Sequence, residues 1–413
     1  MPAIDKYFRM LHELGGSDLH MSTGSQPLIR LHGRLQPVDE GEREYGSEEL
    51  ERLFEEITPQ PNREEFAADN DTDFAYEIEG VARFRANLFR DRKGVGGVFR
   101  IIPSKILTAE DLGLSEAILN LCYLTKGLVL VTGPTGSGKS TTLCAMVDFI
   151  NRKRDDHIIT IEDPIEFVHE NKRCLINQRE VGTHTEGFKR ALRAALREDP
   201  DIILVGEMRD LETIAIAIEM AETGHLVFGT LHTSTAPSTV DRIIDQFPAE
   251  EQNQIRAMLS ESLKGVIAQT LCRTANGKGR RAALEVLIVN DAVSANIREG
   301  KTHQIPLAMT TGRKLGMISL NQALLELVEA GTVSAEEAYF KAVDKKGMER
   351  EFERLRIPFV MPGSGQKKPE RPRPDAGGRP GGSRPPAPAR AAASTSGPAP
   401  AQKADSKKRG WFG

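Results

Sequence analysis

The stretch from Leu128 to Ser140, Leu-Val-Leu-Val-Thr-Gly-Pro-Thr-Gly-Ser-Gly-Lys-Ser, decides the fold. An apolar run typical of a β-strand breaks at Gly133 into the pattern G-x-x-x-x-G-K-S and continues into a helix-forming segment. The glycines let the backbone curl so that successive N–H groups point at a phosphate, and the following helix adds the positive end of its dipole. The alternative is a glycine-rich turn with a chance lysine, which does not account for the strand–loop–helix context. The sequence therefore predicts a site for a nucleoside triphosphate.

Two side chains of this loop have specific expected roles. Lys139 neutralises the β- and γ-phosphates, and the Ser140 hydroxyl binds Mg²⁺, so the predicted cofactors are ATP and Mg²⁺. The residues predicted to hold the nucleotide here are Gly133, Pro134, Thr135, Gly136, Ser137, Gly138, Lys139, Ser140 and Thr141.

Strands and helices alternate around the loop. Strands are predicted over residues 128–132, 158–162, 202–206 and 226–230, with amphipathic helices between them at 188–197 and 211–221. This alternation predicts an α/β fold whose parallel sheet is covered on both faces and binds its ligand at the carboxyl ends of the strands. From about residue 291 to 356 the pattern is entirely helical.

Four regions follow from these patterns. Residues 1–102 combine a first helix with four alternating strands, which predicts a small α+β domain with an antiparallel sheet. Residues 103–113 are interpreted as a linker and residues 114–360 as the nucleotide-binding domain. Residues 361–413 hold ten of the 23 prolines and are expected to form a disordered tail.

Composition excludes several classes of protein. The chain of 413 residues is 39% hydrophobic and 28% charged, and has no apolar run long enough to cross a membrane, so we expect a cytoplasmic protein. Its four cysteines lack the spacing of a zinc site or a disulfide framework and are expected to be buried and reduced. The tail carries +8 and the remainder −12, and an acidic body argues against nucleic acid as a partner.

Two acidic motifs end neighbouring apolar runs. Residues 201–207 end in Glu207, which we expect to orient Mg²⁺ and take a proton from the attacking water. Residues 160–166 place Glu162, Asp163 and Glu166 close together; Glu162 and Glu166 are catalytic candidates, and either Glu162 or Glu207 activates the water. Three acids beside a phosphate repel one another without a cation, which favours a shared metal ion, with Asp163 as a ligand, over a solvated loop.

Residues 224–232 form a third apolar run. Thr230 and His232 fall at its carboxyl end, where a group that senses the γ-phosphate belongs, so His232 is a further catalytic candidate.

Arginines mark one face of the N-terminal domain. Arg83 and Arg85 lie two apart on one predicted strand and share a face, to which Arg90 and Arg100 add charge. This surface is either solvated, or one or more of its arginines reach a nucleotide held by a neighbouring subunit. Arg83, Arg85 and Arg100 are therefore candidates for nucleotide binding.

The segment 196–210, Leu-Arg-Glu-Asp-Pro-Asp-Ile-Ile-Leu-Val-Gly-Glu-Met-Arg-Asp, resembles the signature of the secretion and pilus-assembly ATPases. The phosphate loop, the acidic segment 160–167 and Gly229-Thr-Leu-His-Thr-Ser are similar to other boxes of that superfamily, in the same order. Within it, Gly16-Ser-Asp-Leu-His, Leu28-Ile-Arg-Leu-His-Gly and Arg83-Phe-Arg-Ala-Asn resemble PilT-type proteins, the retraction motors of type IV pili.

This resemblance implies a homo-hexameric ATPase. Each subunit would pair an N-terminal PAS-like domain with a RecA-like domain, and ATP hydrolysis would rotate one against the other through the 103–113 linker. The motor would lie in the cytoplasm, peripheral to the inner membrane at the pilus base, with the platform protein and sister pilus ATPases as partners. Retraction is favoured because the chain lacks the longer N-terminal region and four-cysteine zinc site of extension motors.

Alternatives to a primary retraction motor, and two roles for the tail, stay open. Residues 292–299 read Ala-Val-Ser-Ala-Asn-Ile-Arg-Glu where the retraction family's motif resembles A-I-R-N-L-I-R-E, which allows an accessory retraction motor or a secretion ATPase. A ring scaffold without turnover is disfavoured by the complete set Lys139, Ser140, Glu162 and Glu207. The basic tail is either a tether to a membrane surface or a partner's groove, or a plain spacer.

Overall fold

Two β-sheets, one early and one late in the chain, organise the fold. In the computed structural model the first sheet has six strands and the second has seven. The structure describes residues 2–31, 34–39, 41–102 and 106–359. The predicted tail, residues 361–413, lies outside the described residues.

The first sheet is antiparallel throughout, in the order β3-β2-β1-β6-β5-β4. Its inner face packs with three helices around an aromatic core that includes Phe8, Phe84 and Phe99. The predicted antiparallel α+β organisation of this region is confirmed, although β1 and β3 were not predicted. Its elements are α1 (Asp5–Glu13), β1 (Asp18–Ser22), β2 (Leu28–Leu31), β3 (Arg34–Pro37), α2 (Ser47–Glu55), α3 (Gln60–Asp69), β4 (Asp71–Ile78), β5 (Ala82–Asp91) and β6 (Gly94–Ile102).

The second sheet has the order β13-β12-β7-β11-β10-β8-β9 and is parallel except at β13. The four predicted strands are confirmed as β7, β8, β10 and β11, whereas β9, β12 and β13 were not predicted. The elements are α4 (Ala109–Leu112), α5 (Glu116–Leu121), β7 (Gly127–Thr132), α6 (Lys139–Lys153), β8 (His157–Glu162), β9 (Leu175–Glu180), α7 (Phe188–Ala195), β10 (Ile202–Val205), α8 (Leu211–Thr223), β11 (Leu226–Leu231), α9 (Ala236–Ile244), α10 (Gln252–Ser262), β12 (Leu263–Arg273) and β13 (Arg280–Ile288).

Both faces of the second sheet are covered. Along β7, Leu128 and Leu130 enter one hydrophobic cluster, and Val129 and Val131 enter the cluster on the opposite face. Successive strand residues point to opposite faces, so a strand buried on both sides needs a continuous apolar run. This explains why β7, β8, β10 and β11 were recognisable from sequence.

The C-terminal part is helical, as predicted. Its first helices bury Val293 and Met309 in a cluster of the second sheet, and its last three pack around a further cluster that includes Leu324, Ala338 and Phe352. Its elements are α11 (Asp291–Arg298), a 3₁₀ turn (Thr302–Gln304), α12 (Ile305–Thr311), a second 3₁₀ turn (Gly312–Leu315), α13 (Leu320–Glu329), α14 (Ala335–Lys341) and α15 (Lys345–Arg354). Within the predicted 103–113 linker, residues 109–112 form helix α4, which is capped by the Thr108 hydroxyl.

Two further expectations can be compared with the described residues. All four cysteines are buried free thiols, as expected. No helix within the described ranges combines the length and the hydrophobicity that crossing a membrane requires.

Candidate active site

The phosphate loop joins β7 to α6 at the carboxyl edge of the second sheet. Gly133 has φ 146° and Gly138 has φ 91°, in the region that residues with a Cβ rarely adopt. A Cβ on Gly133 would also lie 2.3 Å from the carbonyl oxygen of Gln269. Glycine is therefore required at Gly133 by both conformation and space.

Gln269, on β12, braces this loop from the neighbouring strand. Its Nε2 donates to the carbonyl of Ser137 at 2.7 Å, and its Oε1 accepts from the Thr142 hydroxyl at 2.8 Å. The side chain is buried and both ends of its amide are paired. Sequence reasoning missed this residue; the available signal was a single amide inside an apolar run that extends from Leu263.

Lys139 is half-buried within the loop. Its Nζ donates to the carbonyl of Gly133 at 3.0 Å. Burial lowers the pKa of the ammonium group, while the nearby carboxylates of Glu207 and Glu166 act to raise it. Glu207 from one acidic motif and Glu166 from the other thus both act on Lys139, in line with the expectation that the two motifs lie near the phosphate loop.

The remaining loop residues differ in exposure. Pro134, Thr135 and Gly136 are exposed, whereas Ser140 and Thr141 are half-buried in the first turn of α6. The buried Ser137 hydroxyl has no hydrogen-bond partner among the described residues. A glycine cradle, an unpaired buried hydroxyl and the N-terminus of a 15-residue helix fit the phosphates of a nucleotide.

Glu207 follows β10 and is held by two cationic or ionisable neighbours. Nε2 of His232, which follows β11, lies 2.7 Å from Glu207 Oε1. Arg209 engages both carboxylate oxygens, with Nε 2.6 Å from Oε1 and Nη2 2.7 Å from Oε2. Burial raises the pKa of Glu207, but the hydrogen bonds from Arg209 and His232 outweigh it and hold the pKa below the ordinary glutamate value.

An open cavity of about 350 Å³ adjoins this group. Glu207, Arg209 and His232 line it together with Thr233 and Arg242. Thr230, in contrast, is buried, and its hydroxyl donates to the carbonyl of Gly206, so it ties β11 to β10. The structure thus brings His232, and not Thr230, to an accessible place beside Glu207.

The acidic segment 160–166 is arranged differently from the prediction. Thr160 and Gln178 donate to Glu162 Oε1 at 2.7 and 3.1 Å, and burial raises the pKa of Glu162 despite these bonds. Asp163 and Glu166 are exposed. Within the described residues, these three side chains do not form a preformed group that could hold a metal ion, and a metal ion shared with a bound nucleotide stays a prediction. Glu162 is paired within the sheet, with Thr160 of its own strand and Gln178 of β9.

The arginines of the N-terminal sheet are paired, which revises the picture of a bare cationic surface. Arg83 is largely buried and contacts a carboxylate of the second sheet's domain, whereas the other three are exposed and pair within their own domain. The pairs are Arg83–Glu180, Arg85–Asp73, Arg90–Glu51 and Arg100–Asp18.

Comparisons with known proteins identify the family of this chain. The model of the family described as type II/IV secretion system protein matches residues 71–304. The chain is 54% identical over 328 residues to the type IV pilus retraction ATPase PilT of Pseudomonas aeruginosa, covering 79% of this chain and 94% of that relative. It is 49% identical over 322 residues to a twitching motility protein of Neisseria gonorrhoeae, covering 78% and 86%.

A solved structure is also similar. The crystal structure of the pilus retraction motor PilT with bound ADP matches with a TM-score of 0.79 and 43% identity. The match covers 85% of this chain and 99% of that one. Both sheets of the present chain fall within a fold that binds a nucleotide in that relative.

Proposed function

This chain belongs to the type II/IV secretion system proteins and, within them, to the PilT-type pilus retraction ATPases, and we infer that it hydrolyses ATP to power retraction of type IV pili. One observation of the site carries this conclusion. The Glu207–His232 pair follows two parallel strands at the same sheet edge as Lys139, close enough for Glu207 to act on the pKa of that lysine. Phosphate-binding and water-activating groups thus share one edge.

The hydrolytic chemistry is assigned to these groups as follows. Lys139 and the loop N–H groups hold and neutralise the phosphates of ATP. Glu207 takes a proton from the attacking water, and His232 orients its carboxylate. Glu162 is the second candidate for the base, with Glu166 close to the phosphate site.

Mg²⁺ is proposed as the accompanying metal. The Ser140 hydroxyl, with Glu207 and Asp163, supplies the oxygen ligands that Mg²⁺ prefers. A Mg²⁺ ion bound mainly by water and nucleotide phosphates needs only one or two carboxylates, so it does not require a three-acid cluster. When bound, the ion neutralises charge on the phosphates.

Assembly and location are proposals that rest on family membership. We propose a homo-hexamer in which Arg85 and Arg100, both exposed, reach the nucleotide of a neighbouring subunit. Residues 1–102 and 114–360 form the two domains, which rotate about residues 103–113 on hydrolysis. The ring lies in the cytoplasm at the inner-membrane base of the pilus, acts on the platform protein and works with sister pilus ATPases.

Helix α11 is the element that supports a second candidate function. Helix α11 carries the segment that departs from the retraction motif, and in it Ser294 donates to the carbonyl of Ser260 on α10 at 2.6 Å. An accessory retraction motor, or a secretion ATPase, is the alternative that this departure supports.

The experiment is ATP hydrolysis by the purified full chain. Lys139→Ala removes the only lysine of the loop, and we expect less than about a tenth of the wild-type rate. Lys153→Ala, at the exposed far end of the same helix, is the matched control and should hydrolyse ATP normally. If Lys139→Ala keeps its activity, the assignment of Lys139 to the ATP site is wrong. If the wild-type chain binds ATP but does not hydrolyse it, the protein is a scaffold and not a motor.

A further inference from the structure

Arg83 and Glu180 form an ion pair that joins the N-terminal sheet to the second sheet's domain. Arg83 lies on β5 and Glu180 ends β9, and Nη2 lies 2.6 Å from Oε2. The side chains are 17% and 4% exposed, whereas Arg85, two residues along the same face, is 47% exposed. Burial makes this pair expensive to break, since either partner alone would leave an uncompensated charge.

Glu180 also holds the acidic loop, residues 163–166, which follows β8. Its Oε2 accepts the backbone N–H of Ile165 at 3.0 Å, and its Oε1 accepts the Thr183 hydroxyl at 3.1 Å. Ile165 lies between Asp163 and Glu166, and Glu180 is the strand partner of Glu162 in the ladder between β8 and β9. A single carboxylate thus fixes the backbone of the loop that carries two of the site candidates, Asp163 and Glu166.

This loop acts on the phosphate site. It follows Glu162, whose strand lies directly beside Gly206, the residue before Glu207. The N–H of Gly206 donates to the carbonyl of Ile161 at 2.8 Å, and a Cβ on Gly206 would lie 3.1 Å from the Cα of Glu162. A shift of the loop backbone would therefore move its charges relative to the proposed base.

We propose that Arg83 and Glu180 are a positioning pair for ATP hydrolysis: Arg83 holds Glu180 of its own chain, and Glu180 fixes the acidic loop beside the phosphate site. This rests on the proposed ATPase function. The pair makes the loop depend on the placement of the N-terminal domain, because Arg83 comes from that domain. Rotation of the domain would reach the chemistry through this contact.

The placement of Arg83 favours a role within its own chain over contact with a neighbour's nucleotide. Its charge is already neutralised by a buried carboxylate, while Arg85 and Arg100 remain 47% and 70% exposed. Its Nε is buried without a hydrogen-bond partner among the described residues, an unfavourable arrangement for a residue that serves stability alone.

Steady-state kinetics of the full chain test the pair. Arg83→Gln and Glu180→Gln should each lower kcat about tenfold or more while the KM for ATP and the affinity for ADP change little, since Gln269 braces the phosphate loop separately. The double variant should be no slower than either single one, because both remove the same contact. The control is Arg179→Gln, next to Glu180 on β9, whose partner Glu198 lies within its own domain.

The outcomes separate the two proposals. If the wild-type chain does not hydrolyse ATP, the proposed ATPase function is overturned. If the wild type is active and Arg83→Gln has the same kcat as Arg179→Gln, the proposed positioning role of the pair is overturned. A merely structural contact would lower the unfolding temperature of the variants without a selective loss of kcat below that temperature.

Mixed assemblies decide between action within and between chains. Differently tagged Arg83→Gln and Lys139→Ala subunits are co-expressed, and assemblies that contain both are isolated through both tags. If Arg83 acts on its own chain's loop, every site has one defect and ATPase activity stays at or below that of assemblies made of Arg83→Gln subunits alone. Recovered activity would show that Arg83 serves a neighbour's site and would overturn the proposal.

Discussion

Glu207 carries the chemistry in this account, because its carboxylate contacts His232 and acts on the pKa of Lys139. Glu207→Gln keeps the shape of the side chain but cannot take a proton. We expect ATP to bind normally and hydrolysis to fall by about 10²–10⁴ fold. Fluorescent-nucleotide binding and phosphate release on the same sample measure the two effects.

The control for that substitution is Glu219→Gln, the same change at an exposed position of α8. It should leave both measurements unchanged. If Glu207→Gln hydrolyses ATP normally and Glu162→Gln does not, Glu162 is the base.

The pH dependence of kcat separates the two candidates independently. A base must be deprotonated, so activity is present above its pKa and lost as the pH falls through it. The pKa of Glu207 is lowered and that of Glu162 is raised. Loss of activity below the ordinary glutamate range indicates Glu207, and loss above that range indicates Glu162. The measurement is kcat at saturating ATP from neutral pH down to acidic pH below the ordinary glutamate range.

The phosphate-loop residues could be predicted because the motif is contiguous and its chemistry depends on residue type. Gln269 could not, since its partner Ser137 is 132 positions away and only the pairing of β12 with β7 brings them together. The role of Glu180 was hidden for the same reason, because it depends on contact with another domain. Sequence spacing also does not show that Glu162 accepts hydrogen bonds from Thr160 and Gln178.

At the level of elements, burial explains why four strands of the second sheet were predictable. The central strands β7, β8, β10 and β11 are buried on both faces and form apolar runs. Strand β9 reads Leu-Ile-Asn-Gln-Arg-Glu and lies at the sheet edge, where polar residues are tolerated. Its sequence therefore does not distinguish it from a loop.

Strand β12 supports the site through Gln269, and Gln269→Leu tests this. Leucine leaves the Ser137 carbonyl and the Thr142 hydroxyl without their partner. We expect the free energy of unfolding to drop by about 1–3 kcal/mol and ADP to bind more weakly. Urea unfolding and ADP titration measure the two effects.

The matched control for Gln269→Leu is Gln254→Leu, the same substitution at an exposed position of α10. It should change neither stability nor ADP affinity appreciably. Normal ADP binding by Gln269→Leu would show that the phosphate loop keeps its shape without this strand.

At the scale of the whole molecule, the basic segment 361–413 is outside the predicted motor domains. Truncation after Pro362 should leave assembly and ATPase activity unchanged, because every site residue precedes it. Size-exclusion chromatography and hydrolysis rates check this expectation, and a loss of either would give the segment a role in the motor itself.

The location of the truncated protein in cells tests the tether. Each cation near an anionic membrane contributes about 1 kcal/mol, so removal of a charge of +8 should weaken localisation at the membrane if the segment binds there. Normal localisation and motility would leave a spacer as the better account.

We propose that ATP hydrolysis at this site drives pilus retraction. The most direct test is the imaging of fluorescently labelled pili in cells from which the chain has been deleted and in which either wild type or Lys139→Ala is expressed at equal levels. We predict that pili extend in both strains and retract only with the wild type. Retraction at the wild-type rate and frequency in the Lys139→Ala strain would contradict the account.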